Sequence, residues 1–119
     1  MKKLFTLIII IFLLVGCSNA SNDSSLISYM EAKEKIINNG AILVDVRTED
    51  EYNSNHIRGA VLLTLDTIDE NSVLNVVENK DTPLIVYCQS GNRSGQALSK
   101  LKDLGYEVYD LGSINNWEE

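Results

Sequence analysis

The chain has 119 residues, of which 45% are hydrophobic, enough for one domain with a buried core. Its formal net charge of −7, with no basic stripe to neutralise phosphates, argues against nucleic-acid binding. With one histidine and one cysteine beyond the first seventeen residues, the chain is not expected to form a zinc site.

The first sixteen residues have the pattern of an export signal. Lys2 and Lys3 precede the apolar run Leu4–Val15, which as a helix spans roughly 18 Å and is too short for the ~30 Å core of a bilayer. The run ends in LVGC, which resembles the bacterial lipoprotein signal, in which the cysteine is lipid-modified and becomes the mature N-terminus. We therefore predict a lipoprotein signal peptide over residues 1–16 and lipid attachment at Cys17. An ordinary secretory signal or an uncleaved anchor is the alternative.

A polar segment, SNASNDSS, follows this cysteine. It cannot bury a core and is typical of a flexible tether, with a reach of roughly 15 Å for eight residues. We therefore predict a lipidated cysteine and tether over residues 17–25, and a monomeric domain over residues 26–119. The domain would lie outside the cytoplasm of a bacterium and close to a membrane.

The domain begins with a helix and a strand. Ser28 and Glu31 have the spacing of a capping box, which predicts a helix over Tyr29–Ile37 that Gly40 terminates. The β-branched run Ile42–Val46 is short enough to be a buried strand.

The remaining elements continue this alternation. Thr48 and Glu51 repeat the capping pattern and predict a short helix that ends before Asn55. The later apolar patterns predict, in order, a strand over His56–Leu63, a helix over Asn71–Asn79, a strand over Leu84–Tyr87, a helix over Arg93–Leu104 and a strand over Glu107–Leu111. This order predicts an α/β domain with a central, mostly parallel sheet of about five strands, flanked by helices on both faces.

Cys88 lies where a predicted strand passes into a polar, glycine-containing loop. In parallel sheets, binding crevices lie beyond the carboxyl ends of the strands. We expect the loop amides to surround the sulfur and the following helix to add the positive end of its dipole, which together lower the pKa of a thiol. Cys88 is therefore the predicted nucleophile, although a lone cysteine after a strand is often only a small buried side chain. The predicted substrate-binding residues are Gln89, Ser90, Gly91, Asn92, Arg93 and Ser94, with the Arg93 guanidinium holding an anion.

Two segments carry a family resemblance. YCQSGNRSGQALSKLKDLGYEV, which begins at Tyr87, resembles the active-site loop and following helix of the rhodanese family of sulfurtransferases. VDVRTEDEYNSNHIRGAVLL, which begins at Val44, resembles the other signature of that family. The resemblance runs from about Leu26 to Trp117 and implies a rhodanese-like fold.

The resemblance also implies an activity. The Cys88 thiolate would take the outer sulfur of a donor such as thiosulfate, and the resulting persulfide would pass it to cyanide or a thiol. No metal or organic cofactor is implied. Many members carry a basic residue directly after the cysteine, whereas this chain has Gln89, which leaves Arg93 as the only charge of the loop.

Three polar residues outside the loop are expected to have structural roles. We expect Asp45 and Arg47 to form an ion pair or hydrogen-bond network at a strand end. His56 is expected to hold its loop through a hydrogen bond.

Other functions remain open. Protein tyrosine phosphatases and arsenate reductases also use a cysteine-to-arginine loop, but with five intervening residues, whereas four separate Cys88 from Arg93. A module that carries a persulfide between proteins without turnover would need the same loop. A thiol–disulfide oxidoreductase is less well supported, since position 91 is Gly rather than the second cysteine of Cys-x-x-Cys.

Overall fold

The computed structural model describes residues 25–118. The described range does not include the predicted signal peptide, the lipidation site Cys17 or most of the tether. These three assignments therefore stay predictions. Within the described range, no helix has the length and hydropathy needed to cross a membrane.

Four helices and four strands alternate along the described chain. Their bounds are α1 Tyr29–Asn39, β1 Ile42–Asp45, α2 Glu49–Ser54, β2 Val61–Leu62, α3 Glu70–Val76, β3 Leu84–Cys88, α4 Asn92–Asp103 and β4 Val108–Ser113. Single turns of 3-10 helix cover Leu65–Thr67 and Ile114–Asn116. The predicted α/β alternation is confirmed.

The strands form one sheet in the order β2-β1-β3-β4, and every neighbouring pair is parallel. The sheet of residues 25–118 therefore has four strands rather than about five. A single parallel bridge extends it beyond β4, where Leu26 pairs with Asp110 and the Ile27 N–H donates to the Asp110 carbonyl at 2.9 Å.

The predicted strand over His56–Leu63 was too long, since β2 has only two residues. The preceding segment is a turn that side chains hold from two sides. The Tyr52 hydroxyl donates to the Ala60 carbonyl at 2.7 Å, and the Ile57 N–H donates to the Tyr87 hydroxyl at 3.1 Å. Ile57 and Ala60 are thus buried without belonging to a strand.

Both predicted capping boxes are present. Ser28 with Glu31 closes the start of α1, and Thr48 with Glu51 closes the start of α2. Gly40 follows α1 with φ 69°, a left-handed conformation that glycine adopts without steric cost. The hydrogen bonds of the two capping boxes join residues three positions apart, and they satisfy amides that a helix start otherwise leaves unpaired.

Helices cover both faces of the sheet, as predicted, because successive strand residues point to opposite sides. On one face, Val44, Val86 and Cys88 pack in a cluster with Val73 of α3 and Leu101 of α4. The opposite face has its own cluster, which contains Leu43, Ile85, Tyr87, Leu111 and Ala32 of α1. Because β1 and β3 are the two central strands and run parallel, their carboxyl ends are adjacent and the loops that follow them meet there.

Candidate active site

Backbone amides surround the sulfur of Cys88. This residue ends β3, is fully buried and has no disulfide partner among residues 25–118. The Gly91 N–H donates to its Sγ atom at 2.9 Å, and the Ser94 N–H donates to the same atom at 3.3 Å. The predicted arrangement of loop amides around the thiol is therefore present.

Gly91 makes this arrangement possible. It precedes α4 with φ 102° and ψ −12°, a left-handed conformation that residues with a Cβ adopt only under strain. The Gly91 carbonyl accepts hydrogen bonds from the Ser94 hydroxyl at 3.1 Å and from the Gly95 N–H at 3.2 Å. One residue thus turns its amide toward the sulfur and its carbonyl toward the first turn of the helix.

The surroundings of Cys88 favour the thiolate. Burial alone raises the pKa of the thiol, because it removes water from the charged form. The Ser94, Gly91 and Ser90 amides, together with the Ser94 side chain, stabilise the charged form more than burial disfavours it, so the pKa of Cys88 lies below its ordinary value. These contacts favour the thiolate, which is the nucleophilic form of cysteine.

Arg93 is engaged differently from the sequence prediction. Its guanidinium forms a two-point ion pair with Glu51, with Nη1 at 2.7 Å from Oε1 and Nη2 at 3.0 Å from Oε2. The fork that we expected to hold an anionic substrate is therefore already occupied by a carboxylate. The sequence predicted Glu51 only as a capping residue. Its position just after β1 could have indicated a place near the Cys88 loop, because that loop follows the neighbouring strand β3.

Gln89 is exposed, but its backbone and side-chain oxygen atoms both accept hydrogen bonds. Its carbonyl accepts the Ser113 hydroxyl at 2.7 Å, and its Oε1 atom lies 3.4 Å from Nη1 of Arg47. Ser113 belongs to β4 and was not predicted as part of the site. The residue after the cysteine is thus bonded to β4 and to the segment that follows β1.

The other predicted loop residues lie at the surface. Ser90 and Asn92 are exposed, and the Asn92 side chain accepts a bond from Gln96 of α4 at 3.4 Å. All six predicted loop residues lie together at the carboxyl end of β3, whereas their contacts with substrate stay predictions.

A buried polar network underlies the loop. The Asp45 carboxylate accepts bonds from the Arg47 guanidinium at 2.7 Å and from the Tyr87 hydroxyl at 2.7 Å. Arg47 also donates to the Asn55 carbonyl at 2.6 Å. Burial raises the pKa of Tyr87, which therefore stays a protonated donor. The expected Asp45–Arg47 pair is confirmed. It supports the loop through the contact between Arg47 and Gln89.

His56 also has the expected structural contact. Its Nδ1 atom lies 2.9 Å from the Tyr52 carbonyl, and its ring stacks on the Tyr52 ring with centroids 3.8 Å apart. Within residues 25–118, no three His, Cys, Asp or Glu side chains are grouped where they could bind a metal ion.

Comparison with known proteins gives a consistent family match. A model described as Rhodanese-like domain matches residues 28–119. The thiosulfate sulfurtransferase GlpE of Coxiella burnetii is 33% identical over 94 residues, which are 77% of this chain and 85% of that protein. The thiosulfate sulfurtransferase PspE of Escherichia coli is 36% identical over 74 residues, which are 61% of this chain and 70% of that protein.

Solved structures agree with the sequence matches. A rhodanese-like domain protein from Staphylococcus aureus has a TM-score of 0.64 and 30% identity, covering 78% of this chain and 90% of that one. A rhodanese from E. coli, solved with anions, has a TM-score of 0.60 and 31% identity, covering 64% of this chain and 89% of that one.

Proposed function

The chain belongs to the rhodanese family, and from this premise we propose that it transfers sulfane sulfur through a persulfide on Cys88. The relatives named thiosulfate sulfurtransferase support a rhodanese-type sulfurtransferase. The observation that carries the finer proposal is the pair of amide bonds to Sγ, from Gly91 at 2.9 Å and Ser94 at 3.3 Å. These donors favour a negative charge on sulfur at the place where the reaction needs it.

The first step forms the persulfide. The Cys88 thiolate attacks the outer sulfur of thiosulfate, a new S–S bond forms, and the S–S bond of the donor breaks. The bonding pair leaves on sulfite, so the enzyme keeps one sulfur atom and one negative charge. No proton moves in this step, which agrees with a loop that offers hydrogen-bond donors rather than an acid or base.

The second step returns the thiolate. Cyanide attacks the outer sulfur of the persulfide, the S–S bond breaks, and thiocyanate leaves while Cys88 recovers its electron pair. A thiolate acceptor reacts in the same way and becomes a persulfide itself. The amides of Gly91 and Ser94 serve both states, because each state carries its negative charge on sulfur within the loop.

Intact-mass spectrometry tests this proposal. The protein is incubated with thiosulfate and then with cyanide, and the modified residue is located by peptide mapping. We expect one added sulfur on Cys88, which cyanide removes as thiocyanate, and no addition to a folded Cys88→Ser variant. Transfer that persists in that variant would refute the mechanism, and a persulfide that forms once without turnover would indicate a carrier.

Phosphate-ester hydrolysis fits the site less well. Phosphatases with a related loop place five residues between cysteine and arginine, whereas this loop has four. Glu51 also holds the Arg93 guanidinium, which a phosphatase would need for the phosphoryl oxygens. Hydrolysis of p-nitrophenyl phosphate that depends on Cys88 would reverse this preference.

We propose further that the protein is an extracytoplasmic lipoprotein that Cys17 anchors to a bacterial membrane. This proposal rests on the basic, apolar and LVGC segments of residues 1–17 and on the polar tether that follows them. The acidic net charge of −7 does not favour attraction to anionic lipids, so the lipid itself would provide the attachment.

A further inference from the structure

Two arginines, one within the Cys88 loop and one bonded to it, each pair with a carboxylate. Arg93, the only charged residue of the loop, is bound at two points by Glu51. Arg47, which touches Gln89 from below, is buried against Asp45 at 2.7 Å. The remaining loop side chains are neutral, so the loop itself offers an anion no side-chain cation that lacks a carboxylate partner.

Glu51 is held firmly in this position. Its Oε1 atom accepts the Thr48 N–H at 3.0 Å and the Thr48 hydroxyl at 3.0 Å, in addition to Arg93 at 2.7 Å. The Arg93 guanidinium and the Thr48 bonds lower the pKa of Glu51 to about 2, so the carboxylate stays charged at any working pH. The capping box of α2 therefore keeps a negative charge beside the only arginine of the loop.

We propose that Glu51 determines which sulfur donors the site accepts, by neutralising Arg93 and disfavouring doubly charged donors relative to singly charged ones. The inference deepens the proposed function and rests on it. The favoured donor class is the sulfane compound with a single negative charge, such as an organic thiosulfonate or persulfide. Thiosulfate, a dianion, is the disfavoured case.

The charge of the donor matters because the nucleophile is itself an anion. The donor must approach the Cys88 thiolate, and the Glu51 carboxylate is bonded to Arg93 of the same loop. Repulsion by these two negative groups grows with each negative charge that the donor carries. The Gly91 and Ser94 amides already bond the thiolate, so they offset its charge rather than that of the donor. A free guanidinium would offset the donor charge, but Glu51 occupies it.

Two donors isolate this effect. Thiosulfate and methanethiosulfonate both present an outer sulfur on a sulfonyl centre, but a methyl group of the second replaces a charged oxygen of the first. Attack by Cys88 on methanethiosulfonate breaks its S–S bond and releases methanesulfinate with the bonding pair, while the persulfide forms as before. The ratio of kcat/KM for thiosulfate to kcat/KM for methanethiosulfonate therefore reports the penalty for the extra charge.

The decisive variant is Glu51→Gln, and Glu49→Gln is its matched control. Glutamine at the third helical position still supports a capping box, so the variant loses the charge while it keeps the helix start. Glu49 lies in the same first turn and is exposed, and its replacement changes the net charge equally without touching Arg93.

We expect the ratio to rise about three- to ten-fold in Glu51→Gln, in the range of a charge-assisted bond at a partly exposed site, and to stay unchanged in Glu49→Gln. The rise should shrink at high ionic strength and disappear in the double variant Glu51→Gln with Arg93→Gln. Because the ratio cancels a general loss of activity, it separates charge selection from a merely structural role.

The outcomes separate this inference from the function on which it rests. An equal loss for both donors in Glu51→Gln, or an equal rise of the ratio in Glu49→Gln, would overturn the role of Glu51 and leave sulfur transfer intact. The absence of sulfur transfer from either donor to the unmodified protein would overturn the proposed function and this inference with it.

Discussion

The hydroxyl of Tyr87 donates a hydrogen bond of 2.7 Å to the carboxylate of Asp45, so the two central strands are joined by side chains directly before Cys88. Both residues are fully buried. The same carboxylate holds Arg47, which reaches both Gln89 and the Asn55 carbonyl. The loop that follows Cys88 is therefore supported by polar groups that are buried away from water.

The first prediction concerns this network. Asp45→Asn leaves the Arg47 guanidinium buried without its counter-charge, and we expect the free energy of unfolding to fall by roughly 3–5 kcal/mol. Glu70→Gln removes an exposed ion pair in which Lys80 Nζ lies 3.4 Å from Glu70 Oε2. This change should alter the free energy of unfolding by only about 0–1 kcal/mol. Urea unfolding of both variants measures the difference. Equal effects would contradict the structural role of the network.

A second prediction concerns the pH dependence of Cys88. Because its pKa lies below the ordinary value, its alkylation rate should reach half-maximum at a lower pH than that of free cysteine, whose pKa is about 8.5. The rate is followed by mass spectrometry of the peptide that contains Cys88. Ser94→Ala removes the hydroxyl that bonds the Gly91 carbonyl and helps to hold the loop around Sγ, and it should move the midpoint to higher pH. A midpoint at or above that of free cysteine would contradict the loop geometry.

The same shift predicts how stability varies with pH. The native thiol has the lower pKa, so between the native pKa and the pKa of the unfolded thiol the unfolded chain binds the extra proton. The contribution of Cys88 to the free energy of unfolding therefore rises with pH across this window and is lost as pH falls through the native pKa. Chemical denaturation at several pH values gives the free energy of unfolding of the unmodified protein and of Cys88→Ser. The contribution of the thiol is the difference between the two proteins in how steeply this free energy changes with pH.

A third prediction contrasts two glycines of the loop and helix. Gly91→Ala places a Cβ at φ 102°, which should destabilise the fold by about 1–2 kcal/mol and reduce sulfur transfer, because the amide at position 91 turns away from Sγ. Gly95→Ala has ordinary helical geometry, with its Cβ 4.0 Å from Asp110, and should stabilise the helix by about 0.5–1 kcal/mol. Thermal unfolding and kcat/KM are measured together. Normal activity in Gly91→Ala would show that its amide is dispensable.

A fourth prediction tests the proposed anchor. Cys17→Ser removes the acceptor for the lipid, so the protein should leave the membrane fraction or accumulate as an unprocessed precursor. Cell fractionation with mass analysis of the N-terminus distinguishes these two results. Unchanged membrane retention would indicate an uncleaved apolar anchor instead of a lipid.

Local sequence determines much of this domain. The capping boxes at Ser28 and Thr48 are bonds between residues three apart, so a short pattern is enough to predict them. Strands β1 and β3 follow from compact apolar runs, and the place of Cys88 at the end of β3 follows from the loop after it. The Cys-to-Arg loop and the Asp-Val-Arg segment were also sufficient to predict the family that the comparisons confirm.

The state of Arg93 was decided only by the tertiary structure. Its bond to Glu51 joins residues 42 positions apart, and the Tyr87 to Asp45 and Arg47 to Gln89 bonds have the same separation. The common value arises because β1 and β3 pair in the register Asp45 to Tyr87, which aligns the segments that follow both strands. Local patterns place each residue on its own element, but the register between distant strands decides which charges meet at the thiol.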